Sequence, residues 1–293
     1  MIDIKKEQSF YKSFKCEVLT SNEQNKELLS EFISKKENNS LDSYLKESAW
    51  KEDSDGETRV YLIKDNSNNI VLYFSLKCGL LVREKPEENL NEEYQGFVDA
   101  IIIAKQDIAN NKEGVTDEEL QKLYDAGSMM YGDKVDFLFK IANKKVDSKS
   151  ETKASGQEEH IIKVPICISA IELRHLCKNE NYKKPDYIKT PLGFGIFWEI
   201  IVPLIIDITK HIGCQYIYLF AADKSDENIK LEDRKLISYY KTNFKFSECE
   251  DEIKLIKPEY DEYCYGLVQK VSDLKINKKA IWHEFEDIYS NNK

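Results

Sequence analysis

Residues 171–195 decide the fold: Ile171-Glu172-Leu173-Arg174-His175-Leu176-Cys177-Lys178, a polar loop to Pro191, then Leu192-Gly193-Phe194-Gly195. The first part ends an Ile-rich apolar run, Ile161 to Cys177, suited to a central strand. Pro165 marks an edge or bulge at its start, because proline cannot donate to a ladder. Behind the glycines the chain is apolar nearly all round, which predicts a helix sandwiched between layers, bent at Pro203 and capped by Gly213. Cys214 to Ala222 reads as another strand and Leu231 to Thr242 as another helix. The order strand, loop, Gly-x-Gly, helix, strand, helix is that of an α/β domain. A helix N-terminus presents unpaired N–H groups and a positive dipole end, and glycine lets a phosphate approach closely. Gly193 and Gly195 are therefore either an anion site or a tight turn. Trp198 excludes the dinucleotide fingerprint, and the absence of Gly-Lys-Ser/Thr excludes a P-loop.

Upstream, Phe10 to Leu19 alternates as a half-buried strand, and Ser21-x-x-Gln24 can open a helix carrying Leu28, Leu29, Phe32 and Ile33. A short helix with Leu41, Tyr44 and Leu45 follows. Arg59 to Lys64 and Ile70 to Val82 form a hairpin around the turn residues Asp65 to Asn69. From Glu84 to His160 the pattern turns helical, with stripes at Phe97, Ala100, Ile101, Ala104 and Ile108 and at Val135, Leu138 and Ile141. Thr116-x-x-Glu119 caps a helix between them. Lys144 to Glu159 reads as a mobile linker. Residues 84–160 are thus an insertion in a single domain spanning 1–293. Downstream, Glu252 to Lys257 and Tyr263 to Val271 read as a final strand pair, and Lys278 to Tyr289 as a helical tail.

The chain has 293 residues, 41% of them hydrophobic, and a net charge of -10, a foldable composition. The insertion holds 18 acidic and 10 basic side chains, so it accounts for -8 of that charge. An acidic chain does not suit sequence-independent binding to nucleic acid or an anionic membrane. No secretory leader is visible, which makes the cytoplasm the expected location. The apolar stretch Ile196 to Ile208 is interrupted by Glu199 and Asp207 and falls short of the roughly 20 residues of a membrane span. The seven cysteines show no Cys-x-x-Cys pair and the four histidines no metal-ligand spacing, so no metal is expected.

Ile171 to Tyr182 resembles the fourth strand and following turn of the GNAT superfamily of acyl-CoA-dependent N-acetyltransferases. Gly193-Phe-Gly195 resembles its pyrophosphate loop, Arg/Gln-x-x-Gly-x-Gly/Ala, with Thr190 where the Arg or Gln stands. Ser238-Tyr-Tyr-Lys-Thr-Asn-Phe244 is similar to its helical Leu-Tyr-Glu-Lys-Leu-Gly-Phe, which puts Tyr239 on the family tyrosine. The resemblance implies an α/β (α+β) fold, a mixed, mostly antiparallel sheet flanked by helices, with the insertion between the third and fourth strands. It implies acetyl-CoA as co-substrate and direct transfer of the acyl group to a primary amine, whose identity the sequence does not show.

In that fold the fourth and fifth strands splay apart. The resemblance then places the thioester carbonyl on backbone N–H groups near Leu176 and Cys177, with Lys178 adjoining. It places the pyrophosphate on the amides of Gly193, Phe194, Gly195 and Ile196. Tyr239 would protonate the departing thiolate, with Tyr240 as alternative. Glu172 is either the base for the acceptor or the partner of an ion pair, with Arg174 or with a residue on a neighbouring strand. Asp223 is either a cofactor contact or the cap of the next turn. Between Arg174 and Lys189 five basic residues face two acidic ones, a local +3 that suits the phosphates of CoA. The insertion is expected to offer a protein contact. A non-catalytic binding protein on the same sheet is the alternative reading, favoured by Thr190 and the long loop before it.

Overall fold

Among the described residues of the computed structural model (3–34, 40–83, 90, 92–109, 116–150, 166–223, 229–250, 252–256 and 264–291), seven strands form one sheet. They are β1 (Lys15–Val18), β2 (Arg59–Lys64), β3 (Ile70–Arg83), β4 (Cys167–Lys178), β5 (Tyr216–Ala222), β6 (Ile253–Leu255) and β7 (Cys264–Lys270). The order across the sheet is β1-β2-β3-β4-β5-β7, and β6 pairs with the far end of β3. Every pairing is antiparallel except that of β4 with β5. This is the mixed, mostly antiparallel sheet that the resemblance implies.

Local chemistry explains the hairpin. The Asp65 carboxylate accepts the N–H groups of Ser67 at 2.9 Å and Asn69 at 2.8 Å, and Asn68 takes a left-handed φ of 67° that asparagine tolerates. The N-terminus departs from expectation. Asp3 accepts the Lys6 N–H at 3.1 Å and starts a helix, α1 (Ile4–Lys12), so the first strand begins only at Lys15. Ser21 donates to the Val18 carbonyl instead of boxing a helix, and α2 is a single turn (Asn25–Leu28). Then α3 (Ser40–Ser43), a wider π-type turn (Tyr44–Ser48) and α4 (Ala49–Asp55) run on as one helix. It packs Leu45 and Ala49 on Leu62 and Tyr73 of the sheet.

The described residues divide into two compact units, Met1–Arg83 with Ile166–Lys293, and Glu84–Pro165. In the second, α5 (Glu92–Ala109), α6 (Asp117–Tyr131) and α7 (Val135–Ser150) enclose Val98, Ile101, Ile102, Leu138, Ile141 and Ala142. Thr116 makes no side-chain cap; its carbonyl accepts the N–H groups of Glu119 and Leu120. Helix α7 runs through Lys144 to Ser150, where a linker was expected; residues 151–159 of that linker lie outside the described ones, as do residues 161–165 of the apolar run.

Parallel strands need a crossover, and here it is a helix. It comprises α8 (Leu192–Ile196), a π-type turn (Phe197–Ile201) and α9 (Val202–His211). Pro203 has no N–H and its ring would clash with the carbonyl four residues back; the wide turn before it, closed by Val202 N–H on the Phe197 carbonyl, relieves both. The helix ends at His211 on an extended Ile212, not on Gly213. Its length and apolarity would suffice to span a bilayer. Ile196, Phe197, Trp198, Ile201, Val202 and Ile205 are instead buried in the core with Ile171, Leu173, Ile217 and Leu219 of the sheet. Helix α10 (Lys235–Phe244) stacks Phe244 on Phe197 with ring centroids 4.0 Å apart, and α11 (Val271–Asn291) covers the same side through Trp282 and Phe285.

The final strand pair is not a pair. β7 joins β5, whereas Ile253 to Leu255 add to Leu81 to Arg83 of β3. β3 outruns β2, so its last residues leave an edge that β6 fills.

Candidate functional site

The parallel ladder of β4 and β5 lasts only from Ala170–Tyr216 to Glu172–Tyr218. Beyond it β4 continues to Lys178 on β3 alone, and the two strands open a cleft edge. Which amides face that edge follows from hydrogen-bond phase. Asn179 donates its N–H to the Val71 carbonyl at 3.0 Å, and two residues back Cys177 stands opposite Tyr73 in the same phase. The Cys177 amide is thus committed to β3, and those of Leu176 and Lys178 face the opening. Leu176 keeps its expected place there; Cys177 does not.

A β-bulge precedes these residues. Ser75 pairs with His175 but Leu76 with Leu173, so Arg174 is extra. Ile171 and Leu173 before it, and Leu176 after it, all join the core beneath the crossover helix. Glu172 and His175 lie on the opposite face.

At the helix N-terminus, Gly195 makes the first intrahelical bond, to the Pro191 carbonyl at 3.2 Å. The N–H groups of Leu192, Gly193 and Phe194 come before it and have no acceptor in the helix, and Pro191 supplies no side-chain cap. Gly193 is half-exposed, and a Cβ on it would sit 3.5 Å from the Tyr239 hydroxyl. Gly195 serves another purpose. A Cβ there would lie 2.1 Å from Cε2 of Tyr11, so this glycine admits the Tyr11 ring, not a phosphate. Phe194 packs on Trp282 and Phe285 of α11, and Ile196 is fully buried. Of the four residues expected to cradle a pyrophosphate, the amides of Gly193 and Phe194 remain, joined by that of Leu192.

The preceding loop is locked from α1. The Glu7 carboxylate, 2% exposed, accepts the N–H groups of Lys189 at 2.6 Å and Thr190 at 3.1 Å and the Thr190 hydroxyl. The Tyr11 hydroxyl donates to the Thr190 carbonyl at 3.1 Å, as does Lys184 Nζ at 2.8 Å. Thr190, where the family's Arg or Gln stands, is a fully buried anchor. The loop's other ammonium groups rest on its own acceptors: Lys178 on Glu180 at 3.3 Å, Lys183 on the Glu180 carbonyl and Lys189 on the Asp186 carbonyl.

Helix α10 presents two tyrosines. Asp223 starts it by accepting the Leu236 N–H at 2.8 Å, while its carbonyl accepts from Arg234, so the structure favours the capping role. Trp198 donates to the Asn243 carbonyl at 2.9 Å and pins the helix's other end. Burial raises the Tyr239 phenol well above its usual range. Burial, and then Cys177, push that of Tyr240 up to about 12. Both keep their protons at physiological pH. The Cys177 thiol is also pushed up to about 12, chiefly by burial, which does not suit a thiolate nucleophile.

On the opposite face Glu172 is 6% exposed. Burial raises its pKa against the opposing pull of Arg174, Lys77 and a hydrogen bond from Tyr218. Arg174 also reaches Glu52 at 3.1 Å and Thr58 at 2.9 Å. Two neighbours escaped the sequence. Tyr218 alternates with Tyr216 and Phe220 as an ordinary strand aromatic, and His175 has no sequence signal at all. The His175 ring stacks on Tyr44 with centroids 3.8 Å apart, and its Nδ1 is 2.7 Å from the Ser75 hydroxyl.

Burial, and then Arg174, lower the His175 pKa from 6.5 to about 3. Below 6.5 the unfolded chain binds a proton that the native state refuses. The stability contributed by the neutral ring is therefore complete above pH 6.5 and is lost as pH falls toward 3. We expect His175→Gln to flatten the acid side of the melting-temperature profile over that window; an unaltered slope would show that His175 titrates normally.

Among the described residues no cluster of His, Cys, Asp or Glu has the make-up of a metal site. No protein-family model and no curated protein matches the chain. Solved structures similar to it include AtaTR bound with AcCoA, at 10% identity and a TM-score of 0.46 over 90% of this chain and 97% of that one. AtaT complexed with acetyl-methionyl-tRNAfMet is similar at 10% identity and a TM-score of 0.44 over 90% of this chain and 98% of that one. A bacterial toxin is similar at 8% identity and a TM-score of 0.45 over 91% of this chain and 95% of that one.

Proposed function

We propose that the chain transfers an acetyl group from acetyl-CoA to a primary amine by direct attack. The observation that carries this is the opening between β4 and β5, which has the Leu176 amide on its edge, with an uncapped helix N-terminus and the Tyr239 hydroxyl side by side on the crossover side. The amides of Leu192, Gly193 and Phe194 hold the pyrophosphate, helped by the helix dipole. The Leu176 N–H polarises the thioester carbonyl and stabilises the oxyanion that forms as the amine attacks. Glu172 takes the ammonium proton, directly or through water; its raised pKa makes it a stronger base than an exposed carboxylate. The tetrahedral intermediate collapses with cleavage of the C–S bond; Tyr239 gives its proton to the thiolate and is reprotonated, directly or through water, by the second proton that the acylated nitrogen sheds.

One observation favours a second reading, a non-catalytic binding protein. Glu7 already fills the amides of Lys189 and Thr190 with a carboxylate, beside the place where CoA would bring negative charge. Thermal-shift titration with acetyl-CoA separates the two. A ligand bound to the native state alone stabilises it by about 2.7 kcal/mol at a hundred times its Kd, so the melting temperature rises with concentration. No shift at millimolar acetyl-CoA would reject the acyl-transfer reading.

A further inference from the structure

Tyr218 is the unexplained residue of the polar face. It leaves β5 and crosses β4, and its hydroxyl ends over Gly79 of β3, where a Cβ would be only 2.2 Å from it and 2.6 Å from Cε1. Gly79 pairs with Ala170 on β4, another small residue, so two strands keep side-chain volume low along the path of the phenol. Glu172 lies beside that path, next to Tyr218 across the parallel ladder and opposite Lys77 across the antiparallel one. Gly79 has no turn or left-handed backbone to account for it. Its neighbour Cys78 and its partner Ala170 both carry a Cβ in the same extended ladder.

We propose that Tyr218 and Gly79 are a positioning pair for Glu172: the phenol, seated in the space that glycine leaves on β3, holds the carboxyl where it can receive the acceptor's proton. This rests on the acyl-transfer reading for its catalytic meaning, but the pairing itself does not. The charged groups facing Glu172 are Lys77 from β3 and Arg174 from the bulge of β4, the latter balanced by Glu52 on α4. Tyr218 is the neutral donor among them. It favours the ionised carboxylate without adding a charge that would repel an ammonium acceptor.

The test is carboxyl ¹³C NMR of Glu172, assigned by its loss in Glu172→Gln, followed against pH in the wild type, Tyr218→Phe, Gly79→Ala and the double variant. Losing the hydroxyl, or pushing it aside with a methyl group, removes a bond that favours ionisation. We expect the Glu172 midpoint to move to higher pH in each single variant, and Gly79→Ala to move it no further in the Tyr218→Phe background. A midpoint unmoved in Tyr218→Phe overturns the pair, and one that moves in Tyr218→Phe but not in Gly79→Ala removes Gly79 from it. In the turnover assay kcat falls about tenfold in Tyr218→Phe, the worth of one hydrogen bond to a charged group. Its acid limb shifts upward in pH and KM for acetyl-CoA stays unchanged. A core-packing role alone would leave the acid limb in place. If the wild type binds no acetyl-CoA, the acyl-transfer reading fails while the NMR titration still decides the pair.

Discussion

Tyr239→Phe is expected to lower kcat for acetyl transfer by about a hundredfold to ten-thousandfold, the range for losing a positioned general acid. The ring should stay in place, because it packs on Phe244 at a centroid distance of 5.2 Å and on Tyr240 at 6.2 Å. Only the hydroxyl beside Gly193 disappears. Calorimetry should therefore find the Kd for acetyl-CoA within a few-fold of wild type, so that the effect appears in kcat. Tyr240→Phe is the paired measurement, since its ring adjoins that of Tyr239 on the same helix. Full turnover in Tyr239→Phe together with a loss in Tyr240→Phe would transfer the acid role to Tyr240.

Glu7→Ala should destabilise the fold by about 3 kcal/mol, measured by urea unfolding, because it takes a buried, charged acceptor away from the donors around Thr190. Three groups lose their partner together: the amides of Lys189 and Thr190 and the Thr190 hydroxyl. Tyr11 loosens with them, since it bonds the same threonine and seats its ring on Gly195. Glu7→Gln keeps a carbonyl acceptor and should recover part of the loss. A change under about 0.5 kcal/mol in Glu7→Ala, the size of an ordinary surface substitution, would mean that α1 does not lock the loop.

These two residues mark the limit of what the chain discloses before folding. The place of Tyr239 on a helix was legible because seven consecutive residues, Ser238 to Phe244, resemble a helical family pattern. The Asp65–Asn69 hairpin was legible because its turn bonds are local. Glu7 was not, because its partners lie 182 and 183 residues away. The alternation of Phe14, Cys16 and Val18 marked a strand that was carried back to Phe10, whereas the residues up to Lys12 belong to the helix that Asp3 caps.

Gly195 shows the same limit from the other side. Its spacing from Gly193 suits a phosphate, yet a ring from the far end of the chain fills the space. The assignment of Cys177 failed on hydrogen-bond phase. Alternation along a strand is visible in sequence, but which edge an amide faces depends on strand pairing. The bulge at Arg174 then shifts the side-chain pattern by one residue. β6 was misplaced for a related reason: its apolar pattern marks a strand but not the partner, and the free edge belongs to β3 because that strand outruns β2.

The most direct measurement of the site is amide NMR at Leu176 and Cys177 during titration with acetyl-CoA and, separately, with CoA. The account predicts that the Leu176 N–H shifts strongly with acetyl-CoA and much less with CoA, which lacks the carbonyl, while Cys177, bonded to β3, moves little with either. Binding of acetyl-CoA that leaves the Leu176 amide unmoved would contradict it.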